Sequence, residues 1–149
     1  MIVRVFISFL MILLFTSCST KRVITIVPKI IPSSYNVIIN FNSQINSITN
    51  TQLKSLYLRK NEYLNKQKII PVNLLANNKA RKGFESSILK MDRISLNEYW
   101  IKKHLEGVKP PISQESYKAI LNFVINVDGA IGYIPSDMND DRVKVINEF

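Results

Sequence analysis

The stretch 35–74 constrains this chain most, because its hydrophobic period changes twice. Tyr35 to Phe41 alternates, with Val37, Ile39 and Phe41 on one face and Ile38 on the other, the period-two signature of a strand. Thr49 and Gln52 then stand at capping-box spacing, and Leu53, Leu56 and Tyr57 follow at helical spacing. Lys68 to Leu74 reads as a strand again. Strand, helix and strand joined by short links predict a βαβ unit with parallel pairing and a right-handed crossover.

Three more helices are predicted. The first covers about Asn78 to Lys90, where Ala80, Phe84 and Ile88 recur every four residues. The second opens at Ser95, with Glu98 at capping-box spacing, and turns Leu96, Tyr99 and Trp100 inward. It ends near Gly107, and Pro110-Pro111 prevents continuation. The third begins after Ser113 with Glu115 in its first turn, and carries Tyr117, Ile120, Leu121 and Val124. Asp128-Gly129 turns the chain into a strand over Ala130–Ile134, and Val143–Ile146 offers a fourth. No internal repeat is visible.

The N-terminus has a different character. One basic residue, Arg4, precedes an apolar run from Val5 to Phe15, and Thr16-Ser17-Cys18 follow. A positive start, an apolar core and small residues before a cut site are the marks of a secretory signal. A transmembrane helix needs about 20 apolar residues, so an uncleaved anchor fits less well. Phe15-Thr16-Ser17-Cys18 resembles the bacterial lipobox, with phenylalanine where leucine is usual. That resemblance implies cleavage before Cys18 and acylation of its thiol, and Ser19 next to it points to the outer membrane of a host that has one. Residues 18–33 then read as a tether, with a short apolar stretch, Val23–Val27, able to form one edge strand. Thirteen to fifteen extended residues reach roughly 45 Å at about 3.3 Å each.

Removing residues 1–17 leaves 149 − 17 = 132 residues, enough for one domain with its own core over 34–149. Cys18 is the only cysteine, so no intramolecular disulfide can form. The chain carries 20 basic and 11 acidic side chains, a formal +9; without the leader it loses Arg4 alone and stands at +8. An exported basic domain rarely meets nucleic acid, so anionic head groups or small anions are the candidate partners. The competing reading is compositional: lysine, asparagine and isoleucine are frequent throughout, and scattered lysines solvate a surface.

Several residues invite chemistry and have plainer readings. His104 is the single histidine and cannot build a zinc site without cysteine partners. Its place near a helix C-terminus suits capping. Tyr99 and Trp100 could stack on a ligand, but their spacing with Leu96 suits packing. Asp137, Asp140 and Asp141 suggest a calcium loop, yet lack EF-hand spacing and glycine, so a polar turn is expected. No nucleophile elbow, P-loop or acid/base pair occurs in the sequence. The expectation is a non-enzymatic protein without metal or cofactor.

Taken in order, Leu53-x-x-Leu56-Tyr57-Leu58, Ile69-Ile70-Pro71-Val72-Asn73, Phe84 with Leu89, Tyr99-Trp100, Gly107 with Pro110-Pro111, and Gly129-Ala130-Ile131-Gly132-Tyr133 resemble the phosphate-type periplasmic solute-binding proteins. The resemblance is strongest to a short, single-lobe branch and runs from about Tyr35 to Ile146. It implies an α/β fold, a single lobe of the type 2 periplasmic binding protein fold, with a parallel-based sheet and flanking helices. The long relatives close two lobes on phosphate and deliver it to a membrane transporter of the ABC class. This chain has length for one lobe, and a ligand held between two lobes loses much of its contact when one is missing.

In the long relatives an arginine and a Ser-Gly-Thr turn follow the second strand and hold phosphate at a helix N-terminus. Here Leu74 stands at the arginine position and Asn78-Lys79-Ala80 at the turn. The candidate anion site is therefore Asn77, Asn78, Lys79 and Arg81 with the backbone N–H groups of that helix end. Positive side chains at a helix N-terminus cost about 0.3–1 kcal/mol each when exposed, and a bound anion reverses that sign. The alternative is that Asn77 or Asn78 merely caps and the cations reach solvent. The functional expectation is an exported, membrane-anchored lipoprotein facing the periplasm that binds phosphate or a similar anion for ABC transport. The competing expectation is an interaction module of the cell envelope, docking a protein partner or a second copy.

Overall fold

The computed structural model describes residues 34–138 and 140–149. The leader, Cys18 and the Val23–Val27 stretch lie outside them. The elements in chain order are β1 Tyr35–Asn40, α1 Asn50–Tyr57, β2 Tyr63–Leu64, β3 Gln67–Lys68, β4 Ile70–Leu74, α2 Lys79–Phe84 with a π turn over Glu85–Leu89, α3 Arg93–Leu105, β5 Ile112–Gln114, α4 Tyr117–Asn126, β6 Ala130–Pro135 and β7 Val143–Glu148.

The main sheet has five strands in the order β5-β4-β6-β1-β7, and β2 and β3 form a separate hairpin. Strands β5, β4 and β6 are mutually parallel, paired Val72 to Ile112 and Ile70 to Ala130. Strand β1 runs antiparallel to both of its neighbours, β6 and β7. The sheet is thus mixed around a parallel centre, the α/β class expected. The expected βαβ unit over 35–74 is corrected: β6 lies between β1 and β4, and those two strands run in opposite senses. Burial decides the slot. All six residues of β6 are buried, so it takes the middle of the sheet. The parallel crossovers lie later, from β4 through α2 and α3 to β5, and from β5 through α4 to β6.

Local chemistry explains most boundaries. The Thr49 box forms as read: Thr49 Oγ1 accepts from Gln52 N–H at 3.2 Å, and Gln52 Oε1 accepts from Thr49 N–H at 2.9 Å. The helix predicted over 78–90 is there, but it widens into a π turn after Phe84. The Ser86 and Ser87 hydroxyls both donate to the Gly83 carbonyl, at 3.0 and 2.7 Å, drawing it away from regular α bonding. Lys90, at φ 53°, ends the turn.

Two helix starts are corrected. α3 is capped by Asp92, whose carboxylate accepts from Ser95 N–H at 2.8 Å, so Ser95 lies inside the first turn. That hydrogen bond holds the Asp92 carboxyl below its ordinary pKa. α4 is capped by Ser116, and the segment 112–114, expected to lead into that helix, is strand β5 paired with β4.

The core sits on both faces of the central strands. On one face Tyr57, Phe84 and Tyr133 cluster, with the Phe84 and Tyr133 rings stacked at 4.7 Å and Tyr57 at 4.5 Å from Phe84. Their polar tips are satisfied: Tyr57 donates to the Val72 carbonyl at 2.9 Å, and Tyr133 donates to Asn73 Oδ1. Burial raises both phenol pKa values above the ordinary range. On the other face α4 packs on β6 through Ile120 and Val124, opposite Gly132.

Candidate functional site

The carboxyl ends of β4 and β5 form one ledge. Leu75 N–H donates to the Gln114 carbonyl at 3.1 Å, tying the loop after β4 to the end of β5. Each strand feeds a helix start, α2 after Asn78 and α4 after Ser116. Two helix N-termini therefore open at the same end of a parallel strand pair, where α/β sheets take ligands. Unpaired N–H groups and the helix dipoles make that end electropositive.

The four residues singled out in the sequence all belong to this ledge. Asn77 and Lys79 are exposed and Asn78 is half-buried. Asn78 Oδ1 accepts from Ala80 N–H at 2.8 Å, so its oxygen is a cap and its amide N–H2 is the part that could meet a ligand. Arg81 lies deeper. Its Nε donates to Glu85 at 2.8 Å, and its Nη1 to the Leu74 carbonyl at 2.7 Å and to Ser113 Oγ at 3.3 Å. Sequence reasoning placed Arg81 with the exposed cations of the first turn. The structure gives it an internal carboxylate.

That carboxylate is the residue the sequence reading missed. Glu85 is buried, and its second oxygen takes Arg93 Nη2 at 2.9 Å. Arg93 in turn donates to the Ala76 carbonyl at 2.7 Å. Two arginines thus grip one buried glutamate and also the loop 74–76 that leads into α2, Arg81 with a separate nitrogen and Arg93 with the same Nη2. The i,i+4 spacing of Arg81 and Glu85 was the available signal. Arg93 comes from α3 and no local spacing points to it. The triad contributes a net single positive charge directly behind the ledge.

The other tempting residues stay apart from it. Tyr99 donates to the Leu58 carbonyl at 2.7 Å and meets the Trp100 ring edge-on at 5.2 Å, the packing role expected. The His104 side chain is exposed, and the His104 carbonyl accepts from Gly107 N–H in the turn that closes α3. Asp140 forms a two-pronged pair with Arg142 at 2.8 and 2.6 Å, which lowers the Asp140 carboxyl to a pKa of about 2.

No protein-family model matches the sequence, and no curated protein matches it. Solved structures do. A crystal structure from Clostridium perfringens, assigned as a phosphate ABC transporter substrate-binding protein with bound phosphate, superposes with a TM-score of 0.62 at 20% identity. The match covers 78% of this chain and 46% of that one. An ABC-type phosphate transport receptor from Vibrio cholerae gives a TM-score of 0.61 at 20% identity, over 76% of this chain and 45% of that one. Likeness at this level is likeness of fold. The described residues have the fold of one lobe of a periplasmic binding protein, and the match spans under half the length of either neighbour.

Proposed function

We propose that this chain is an exported lipoprotein, anchored through Cys18 and a tether over 18–33, whose domain over 34–149 takes phosphate or a similar small anion on the β4–β5 ledge. The observation that carries this reading is the pair of helix N-termini side by side at the carboxyl end of two parallel strands, in a fold shared with phosphate-binding neighbours. Backbone N–H groups, the Asn77 and Asn78 amides and Lys79 supply the contacts, and Arg81 lends its charge from behind. One lobe offers a ligand one wall, so binding is weak until a second body closes over it. Delivery to an ABC transporter belongs to that closed state.

A second reading is favoured by Glu85. Arg81, the arginine among the candidate anion contacts, already holds a carboxylate of its own chain, so an incoming anion meets a partly neutralised site. On this reading the lobe is an interaction module of the envelope and no longer takes a ligand.

Calorimetry of the full chain in non-ionic detergent, titrated with inorganic phosphate, separates the two. Anion binding predicts saturable heat with a dissociation constant below about 1 mM, near −4 kcal/mol. It also predicts that Lys79→Ala weakens binding several-fold. No heat up to tens of millimolar phosphate selects the interaction module, and a cross-linked envelope partner is then expected on purification.

A further inference from the structure

Helix α3 turns two unlike faces outward and inward. Its inner face holds Leu96, buried, and Tyr99, bonded to Leu58. Directly opposite stand Ile94, Ile101 and Leu105, which are 71, 66 and 84% exposed. At about 100° per residue these three fall within an arc of about 40°. They align along one side of the helix, Ile101 and Leu105 one turn apart and Ile94 two turns before Ile101. Beside the ridge, Asn97, Trp100, Ile101, His104, Leu105 and Pro110 line a shallow groove of about 500 Å3. Ordinary surfaces scatter their apolar residues singly, so an aligned ridge beside an apolar groove marks a contact surface.

The charges along the ridge choose the occupant. Glu98 and Lys102 lie on one flank, both exposed, and Asn97 and His104 lie on the other. In an antiparallel helix pair each flank meets the same flank of the partner helix. Setting Ile94 of one copy against Leu105 of the other brings Glu98 within one residue of the partner's Lys102, twice, by symmetry. Uncharged Asn97 and His104 meet on the second flank. The ridge is therefore complementary to itself in one orientation, the requirement for a twofold interface. A parallel pairing sets the Glu98–Lys102 flank against the uncharged Asn97–His104 flank of the partner and forms no such charge pair. An anionic bilayer surface would meet Glu98 and Lys102 together, a flank with no net charge to draw it.

We propose that α3 is a self-association surface, on which two copies of this chain pair antiparallel through Ile94, Ile101 and Leu105 with reciprocal Glu98–Lys102 contacts. The aliphatic area is small against the ~800 Å2 per partner of a standard interface, so the pair is weak in dilute solution. Confinement of an anchored chain to a membrane surface raises the local concentration and favours it.

The test is cysteine cross-linking of the full chain in membranes of expressing cells. Ile94→Cys and Leu105→Cys chains are co-expressed with distinguishable tags and treated with a short bis-maleimide. The expected result is a strong Ile94→Cys to Leu105→Cys product and little product from Ile94→Cys alone. Glu98→Lys should cut the yield about fivefold or more, and Glu98→Lys with Lys102→Glu should restore it. All four positions are exposed, so folding is retained. Equal products from like and unlike cysteines overturn the antiparallel pair, and so does a yield indifferent to Glu98→Lys. If no product forms, protection of Leu105→Cys from a water-soluble maleimide assigns the ridge to the bilayer, and full reactivity assigns it to solvent. Either outcome overturns the proposal.

Discussion

At the scale of single residues, glycine does the most to fix this fold, at two positions. Gly129 sits at φ 74°, and a Cβ there would stand 2.1 Å from the Lys68 carbonyl oxygen. Gly132 lies in the middle of β6, where a Cβ would stand 2.4 Å from Ile120 Cγ2. The first lets β6 start against the strand region before β4; the second lets α4 approach the sheet. Gly132→Ala is expected to destabilise by about 1–3 kcal/mol through overpacking, read as a lower urea midpoint with an unchanged slope. Combining it with Ile120→Ala should cost less than the sum of the singles, since the two changes share one contact. A double variant showing full additivity would place the strain elsewhere. The motif Gly129-Ala130-Ile131-Gly132-Tyr133 was legible in the sequence, but its reason was not. That reason is a helix packed against it, and no local pattern reports which helix faces which strand.

At the scale of elements, the sequence was most informative where a structure is built from neighbours in the chain. The Thr49–Gln52 box, the buried stripe of Ala80, Phe84 and Ile88, and the Gly107 stop all depend on residues within one or two turns. Sheet order was misread because period two shows only that a strand exists. It does not say that β6, some sixty residues beyond β4, would insert between β4 and β1. The start of α3 was misread because two capping residues, Asp92 and Ser95, stood three apart, and the charged acceptor took the N-terminus. The Glu85 triad is the element-scale feature with the largest consequence, because it joins α2, its π turn, α3 and the ledge. Glu85→Gln keeps the shape but removes the charge between Arg81 and Arg93. Breaking a buried pair this way costs about 3–5 kcal/mol at full burial, and less here because Arg93 is a third exposed. A loss of about 2 kcal/mol or more is expected by urea unfolding. A change under about 0.5 kcal/mol would show that Glu85 is a passive partner and that the ledge does not depend on it.

For the whole molecule, the proposal to test is anchoring at a membrane, since the basic charge, +9 for the whole chain, could hold it at an anionic surface without any lipid. The two mechanisms respond differently to salt. Electrostatic adhesion to anionic head groups fades once the screening length falls to about 3 Å, at about 1 M salt. An acyl chain buried in hydrocarbon gains about 0.8 kcal/mol per methylene, and salt does not weaken it. The lipoprotein reading therefore predicts a wild-type chain that stays with membranes through a 1 M salt wash, carries a fatty-acid label and begins at Cys18. Cys18→Ser should lose the label and wash off with salt. It can still bind weakly at low ionic strength, because its basic surface is unchanged. A Cys18→Ser chain that resists the wash would mean that residues 1–17 remain and anchor the protein themselves. A wild-type chain released by salt would leave charge as the only tether. The closed state of the ledge and the paired α3 ridges both depend on that result, since a weak interface forms readily between chains confined to one membrane and poorly between chains free in solution.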